Sequence, residues 1–182
     1  MALKTFILEN NENQAKRRED IQNAVRKYLN DDNVNIAYDE KGMPTVENSP
    51  KRLHIAVTCA NTVMLVVLYE KPVGIDGEYL PKITDPASRI DFNLLAERFL
   101  SYDEAEYIRD TSSGTEAENF VRIWVRKEAY IKAAGKNLAD FPNFSVVDGS
   151  RLLPKVSGIS IKKFAIKFPD SENYVFAIAG VD

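Results

Sequence analysis

Apolar and polar positions follow two periods along this chain, and they predict its elements in order. The segment KTFILE (Lys4–Glu9) reads as a short strand. Residues 11–30 read as a helix, because Ile21, Ala24, Val25 and Leu29 fall at i, i+3, i+4 and i+8 and make one apolar stripe. VNIAYD (residues 34–39) is the next strand, and EKGMP reads as a turn. LHIAVTCA and TVMLVVLYE, with Asn61 at their join, predict an antiparallel pair that runs on into GIDGE.

Downstream, DPASRIDFNLLAERFLSYDEAEYIRD predicts one or two short helices. Residues 118–136 form the strongest helical pattern: Phe120, Trp124, Ile131 and Ala134 give the packing stripe and Gly135 the stop. FSVVDG, GISIKKFAIKF and YVFAIAGV then predict three strands separated by turn residues. The order is helix then three strands, twice, and NTVMLVVLYE echoes NYVFAIAGVD. The expectation is an α+β protein: one domain over residues 1–182, with two similar halves near 1–85 and 86–182. If the echo reflects a duplication, the halves meet along an interface, and such clefts favour ligands.

Composition narrows the function. Hydrophobic residues make up 45% and charged residues 28%, as in an ordinary globular protein. A net charge of −3 argues against a nucleic-acid binder driven by bulk charge, although KRR (16–18) and IKK (161–163) are local anion candidates. No run approaches the ~18 apolar residues of a membrane span. The single cysteine, Cys59, rules out an intrachain disulfide and suggests a reducing compartment. The opening MALKTFILEN has too short an apolar stretch for a signal segment, so a cytoplasmic location is expected. His54, the only histidine, opens an apolar strand and reads as structural. There is no GxSxG elbow, GxxxxGK[ST] loop or GxGxxG loop.

The chemistry concentrates in two places. In GIDGE, Asp76 and Glu78 stand at i and i+2 of a strand, so both carboxylates point to one face and could converge on a hard cation such as Mg²⁺. Alone, such a pair is an ordinary solvated loop feature. In WVRKEAYIK, Trp124, Glu128 and Lys132 at i, i+4 and i+8 lie close to one helix face. Glu128 and Lys132 also make a plain helical ion pair. Together they suit a phosphate site, the acid holding metal or taking a proton and the lysine neutralising phosphate.

These stretches resemble the 4′-phosphopantetheinyl transferases. VGIDGE is similar to that family's (V/I)GID(V/I)E motif, and FVRIWVRKEAYIKAAGKNL to its FxxxWxxKEAxxKxxGxGL motif. ERFLSYDE between them resembles xRFFSxxE, KGMPTV the upstream GKPxL, and LHIAVTCAN the FNxSHS strand. The resemblance spans roughly residues 10–180 and points to the monomeric, internally duplicated type with its pseudo-twofold.

It implies Mg²⁺ on Asp76, Glu78 and Glu128, and catalysis by Glu128 and Lys132. It also implies coenzyme A contacts at Arg17, Lys41, Pro44, Thr58, Cys59, Lys127 and Lys132. The implied reaction moves the 4′-phosphopantetheine arm of coenzyme A to a serine of an apo carrier protein and releases 3′,5′-ADP. Three positions depart from the family: Cys59 stands for its histidine, Met43 for its lysine and Gly77 for its valine or isoleucine. Gly77 is expected to loosen the strand and pack nothing. Loss of two basic groups keeps open the alternative of a degenerate member that binds coenzyme A or a carrier without catalysis.

Overall fold

The structure, a computed structural model, describes every residue except 1, 41, 50, 111 and 113. The first half starts with β1 (Lys4–Glu9) and α1 (Gln14–Leu29). The Asn13 side chain caps α1 by accepting from the Ala15 and Lys16 amides, and Asn30 closes it in the left-handed region (φ 51°). β2 (Asn35–Tyr38) and β3 (Pro44–Glu47) form a small hairpin. Residues read as a turn thus enter a strand at Pro44, which opens β3, where a missing amide is tolerated. β4 (His54–Ala60) and β5 (Val63–Tyr69) pair antiparallel as expected, with Asn61 at φ 47° in the turn.

β5 is central in the sheet order β1-β5-β4. Met64, Val66 and Leu68 pack with Ile21 and Val25 of α1, while Leu65 and Val67 face the opposite cluster. Burial on both faces is why this strand is apolar throughout instead of alternating.

The second half begins with β6 (Gly74–Tyr79), followed by α2 (Leu80–Ile83), α3 (Phe92–Phe99) and α4 (Tyr102–Arg109). Then come the long α5 (Glu116–Ala134), β7 (Val147–Asp148), β8 (Arg151–Leu152), β9 (Lys155–Val156), β10 (Ile159–Lys163) and β11 (Tyr174–Ala179). The sheet runs β6-β11-β10-β9. FSVVDG yields only a two-residue strand; the Phe164 amide still donates to the Phe176 carbonyl, after which the chain leaves the ladder, and Phe164, Ile166 and Phe168 pack on the core.

Each sheet has its first strand on one side of its last strand and its penultimate long strand on the other: β1-β5-β4 and β6-β11-β10. Each carries one long helix, α1 or α5, on its outer face. In each sheet the first strand precedes the long helix, and the chain passes from one sheet to the other between Tyr69 and Gly74. The inner faces meet: Leu65 and Val67 from the first sheet pack with Ile75, Phe176 and Ile178 from the second. No helix among the described residues is long and apolar enough to cross a membrane.

Candidate active site

The site forms where α5 crosses β6. Gly74, Asp76 and Glu78 alternate toward the helix. Gly74 permits the approach, because a Cβ there would lie 2.0 Å from the Ala129 carbonyl oxygen and 2.7 Å from the Ala133 amide nitrogen. With no side chain between the backbones, Lys132 reaches the strand. Its Nζ donates to Asp76 Oδ1 at 2.7 Å and to the Ile75 carbonyl at 3.1 Å. Thr58 Oγ1, from β4, also donates to Asp76 Oδ1, at 3.3 Å. Asp76 is thus held by both halves of the molecule and is only 8% exposed.

Glu78 and Glu128 are half-buried beside it. Burial pushes the Glu78 carboxyl up to about 7, and the charges of Asp76 and Glu128 add to the rise. Burial, and then the charge of Asp76, likewise raises Glu128. Asp76 is raised by burial against the pull of Lys132 and Thr58. Among the described residues no three His, Cys, Asp or Glu side chains converge tightly enough to hold a metal ion, and the Asp76 carboxylate is turned to Lys132. The donor set is nevertheless all oxygen with an excess of negative charge, the chemistry a hard divalent cation relieves.

The raised Glu78 carboxyl has a consequence for stability. Its folded value of about 7 lies above the ordinary 4.5, so between those pH values the folded state holds more proton than the unfolded state. Stability should therefore fall as pH rises through that window, and be unaffected by this group below it. After solvent screening the loss is on the order of 1 kcal/mol. Urea melts at pH 5 and pH 7.5 in chelator measure it; Glu78→Gln should flatten the difference, and an unchanged slope in that variant would contradict the assignment.

Gly77 does not loosen the strand as expected from sequence. A Cβ at Gly77 would stand 2.0 Å from Phe176 Cδ1, so the Phe176 ring on β11 occupies the space that a valine or isoleucine would fill. Gly77→Val should cost about 1–3 kcal/mol by overpacking, and Phe176→Ala in the same chain should recover part of it. Thermal melts of the two single variants and the double test this coupling; additive losses would rule it out.

Beside the acidic cluster is a recess of about 190 Å³ lined by Arg17, Arg18, Tyr38, Met43, Pro44 and Cys59, among others. Arg17, Pro44 and Cys59 therefore line one recess, while Lys41 lies outside the described residues. Arg17 Nη1 donates to the Asn11 carbonyl at 2.8 Å. Cys59 is exposed at the rim of the recess; partial desolvation raises its thiol, although Arg17 and Lys132 both pull it down, which places the recess and the acidic cluster within electrostatic reach of each other. Tyr38 was not among the expected contacts, and Arg18 was singled out only as part of the KRR anion candidate. The Arg18 guanidinium lies 4.2 Å from the Tyr38 ring centroid, and its place in KRR was the available signal.

Lys127 does not join the recess. It is fully buried, and its ammonium donates to both oxygens of Glu104, at 2.9 and 2.7 Å, and to the Phe144 carbonyl at 2.6 Å. The helical period explains this: Lys127 precedes Glu128 by one residue, about 100° round the axis, so it faces α4 when Glu128 faces β6.

Residues 72–179, which contain the whole acidic cluster, match the family model described as the 4′-phosphopantetheinyl transferase superfamily. Among curated relatives, the chain is 30% identical over 120 residues to 4′-phosphopantetheinyl transferase gsp of Aneurinibacillus migulanus, covering 63% of this chain and 46% of that protein. It is 34% identical over 86 residues to 4′-phosphopantetheinyl transferase HetI of a Nostoc species, covering 47% and 34%. It is 29% identical over 114 residues to a 4′-phosphopantetheinyl transferase of Bacillus subtilis, covering 62% and 47%. The matched stretch spans less than half the length of each of these relatives. With a family model covering more than half its length and converging on the strand and helix that build the site, this chain belongs to the 4′-phosphopantetheinyl transferase superfamily.

Proposed function

We propose that the chain transfers the 4′-phosphopantetheine arm of coenzyme A to a serine hydroxyl of an apo acyl or peptidyl carrier protein, with Mg²⁺, as a cytoplasmic monomer. The observation that carries the reading is the Lys132–Asp76 pair between β6 and α5, with Glu78 in electrostatic reach of both Asp76 and Glu128, next to the arginine-lined recess. Such a cluster is costly unless a charged partner or substrate offsets it.

In this reading Asp76, Glu78 and Glu128 would hold Mg²⁺, and when bound the ion supplies neutralisation of pyrophosphate charge. The raised Glu128 carboxyl is poised to receive the serine proton as the serine oxygen bonds to the β-phosphorus. Lys132 leaves Asp76 to pair with the oxygens of departing 3′,5′-ADP, whose bond to that phosphorus breaks. Thr58 keeps Asp76 in place during that exchange. Arg17, Pro44 and Cys59 would line the coenzyme's nucleotide end, with Lys41 assigned there from sequence alone. Lys127 supports α5 from its far side instead of touching coenzyme.

Incubation with coenzyme A, Mg²⁺ and a panel of apo carrier proteins, read by intact mass, tests the proposal: one carrier should gain one phosphopantetheine. A second reading, binding without transfer, is favoured by Cys59, an exposed thiol that brings no cation where the family places a basic group, and by Met43 in the same recess. Coenzyme A binding with no mass gain on any carrier would select it. Cys59→His should tighten coenzyme A binding several-fold by adding a cation beside the phosphates; calorimetry showing weaker binding would remove Cys59 from the pocket.

A further inference from the structure

Between the first half of α5 and β11 lies a second cavity, of about 270 Å³, that shares no charged residue with the acidic cluster. Arg126 lines it and is 7% exposed. Its Nη2 donates to the Leu153 carbonyl and, at 3.0 Å, to the Ile161 carbonyl. Its Nε is buried with no acceptor, and no carboxylate pairs with it among the described residues. A guanidinium offers five N–H donors, so much of this one's capacity is unused. Burying a cation without a counter-ion is costly, and burial lowers the Arg126 pKa accordingly.

Charge at the cavity does not cancel. Arg122, Arg126 and Lys163 face Glu118 and Glu172, which leaves one net positive charge. Glu118 is in part committed elsewhere, since it accepts from the Thr115 amide at 2.8 Å. The remaining wall is largely apolar, with Leu80, Val125 and Val175. The volume is just below the ~300 Å³ at which pockets for drug-sized ligands begin, so the occupant is small.

We propose that this cavity binds a small monocarboxylate with a short apolar tail, its carboxylate on Arg126 and Lys163 and its tail along Leu80, Val125 and Val175. One negative charge matches the single excess positive charge, and a carboxylate oxygen can accept from Arg126 Nη1, the nitrogen left over once Nη2 serves the Leu153 and Ile161 carbonyls. A dianion would overcompensate beside two glutamates. Coenzyme A and carrier protein play no part in this inference.

Calorimetry on the full chain, without coenzyme A, tests it with hexanoate as probe and hexylamine, hexan-1-ol and inorganic phosphate as comparisons. Hexanoate should bind at least tenfold more tightly than each of the others. Lys163→Glu, an exposed position that leaves the core untouched, should weaken hexanoate at least tenfold, and Arg126→Lys should do the same, because a single ammonium cannot serve both the two backbone carbonyls and the carboxylate. If Arg126→Lys fails to fold, Lys163→Glu decides alone. Hexanoate binding no better than hexan-1-ol, phosphate binding more tightly than hexanoate, or unchanged affinity in Lys163→Glu would each overturn the proposal.

Discussion

Glu128→Ala is expected to abolish carrier modification while leaving the fold intact. The substitution removes two assigned roles at once, metal ligation and acceptance of the serine proton. Proton transfer by a positioned group is typically worth about 10²–10⁴-fold, so the combined loss should reach at least ~10³-fold. That is far beyond the few tenths of a kcal/mol of a surface helical Glu–Lys pair. Stability should hold, because Glu128 is raised by burial and by the charge of Asp76 and is therefore a strained neighbour in the metal-free protein. The helix is anchored elsewhere, by Phe120, Val121, Ile123, Ala129 and Ile131 in the buried core. Intact-mass rates and thermal melts of wild type and variant, with and without Mg²⁺, read both halves of the prediction. A variant that modifies carrier at near wild-type rate refutes the role of Glu128.

Glu104→Ala should have the largest effect on stability. Glu104 is inaccessible to solvent and accepts from the Lys127 ammonium, the Val146 amide at 2.8 Å and the Ser101 amide at 3.0 Å. It thereby ties α4, α5 and the segment after Phe144 together. Removing it leaves a buried ammonium with the Phe144 carbonyl as its one hydrogen-bond acceptor among the described residues, beside the Phe144 and Phe141 rings. Breaking one side of a buried pair costs about 3–5 kcal/mol, a large share of the roughly 5–15 kcal/mol that holds a domain folded. Adding Lys127→Met to the variant should recover part of this by removing the stranded charge, but not all, because two amides stay without an acceptor. Urea unfolding of the single and double variants measures it. A loss under about 1 kcal/mol in Glu104→Ala would mean water enters and solvates the pair. The same pair separates two roles for Lys127: Lys127→Met should lower the unfolding midpoint without weakening coenzyme A binding while the chain remains folded.

Local signals in the chain were sufficient for most elements. KTFILE forms a strand over the residues expected, the apolar stripe of α1 buries Ile21 and Val25, and Gly135 ends α5 in the left-handed region at φ 66°. The i, i+2 carboxylates of GIDGE and the Glu128–Lys132 turn of α5 were also legible, since period 2 and period 3.6 decide which side chains share a face. Period alone did not say which of two adjacent residues turned inward. Lys127 and Glu128 are neighbours in sequence, yet one is sealed against Glu104 and the other stands beside Asp76.

What the sequence by itself determined is most of the longer elements, the α+β class and the family to which the motifs belong. What only the tertiary structure decided is the set of contacts between residues far apart in the chain. Thr58 meets Asp76 across 18 positions, and Lys132 meets it across 56. The Phe176 ring fills the space beside Gly77, turning an apparent weak point into a packed one. Arg126 is left with donors to spare in a second cavity. The physical reason is range. Propensity and periodicity act over a turn or a strand, whereas burial, desolvation and charge pairing depend on which surfaces the folded chain presses together.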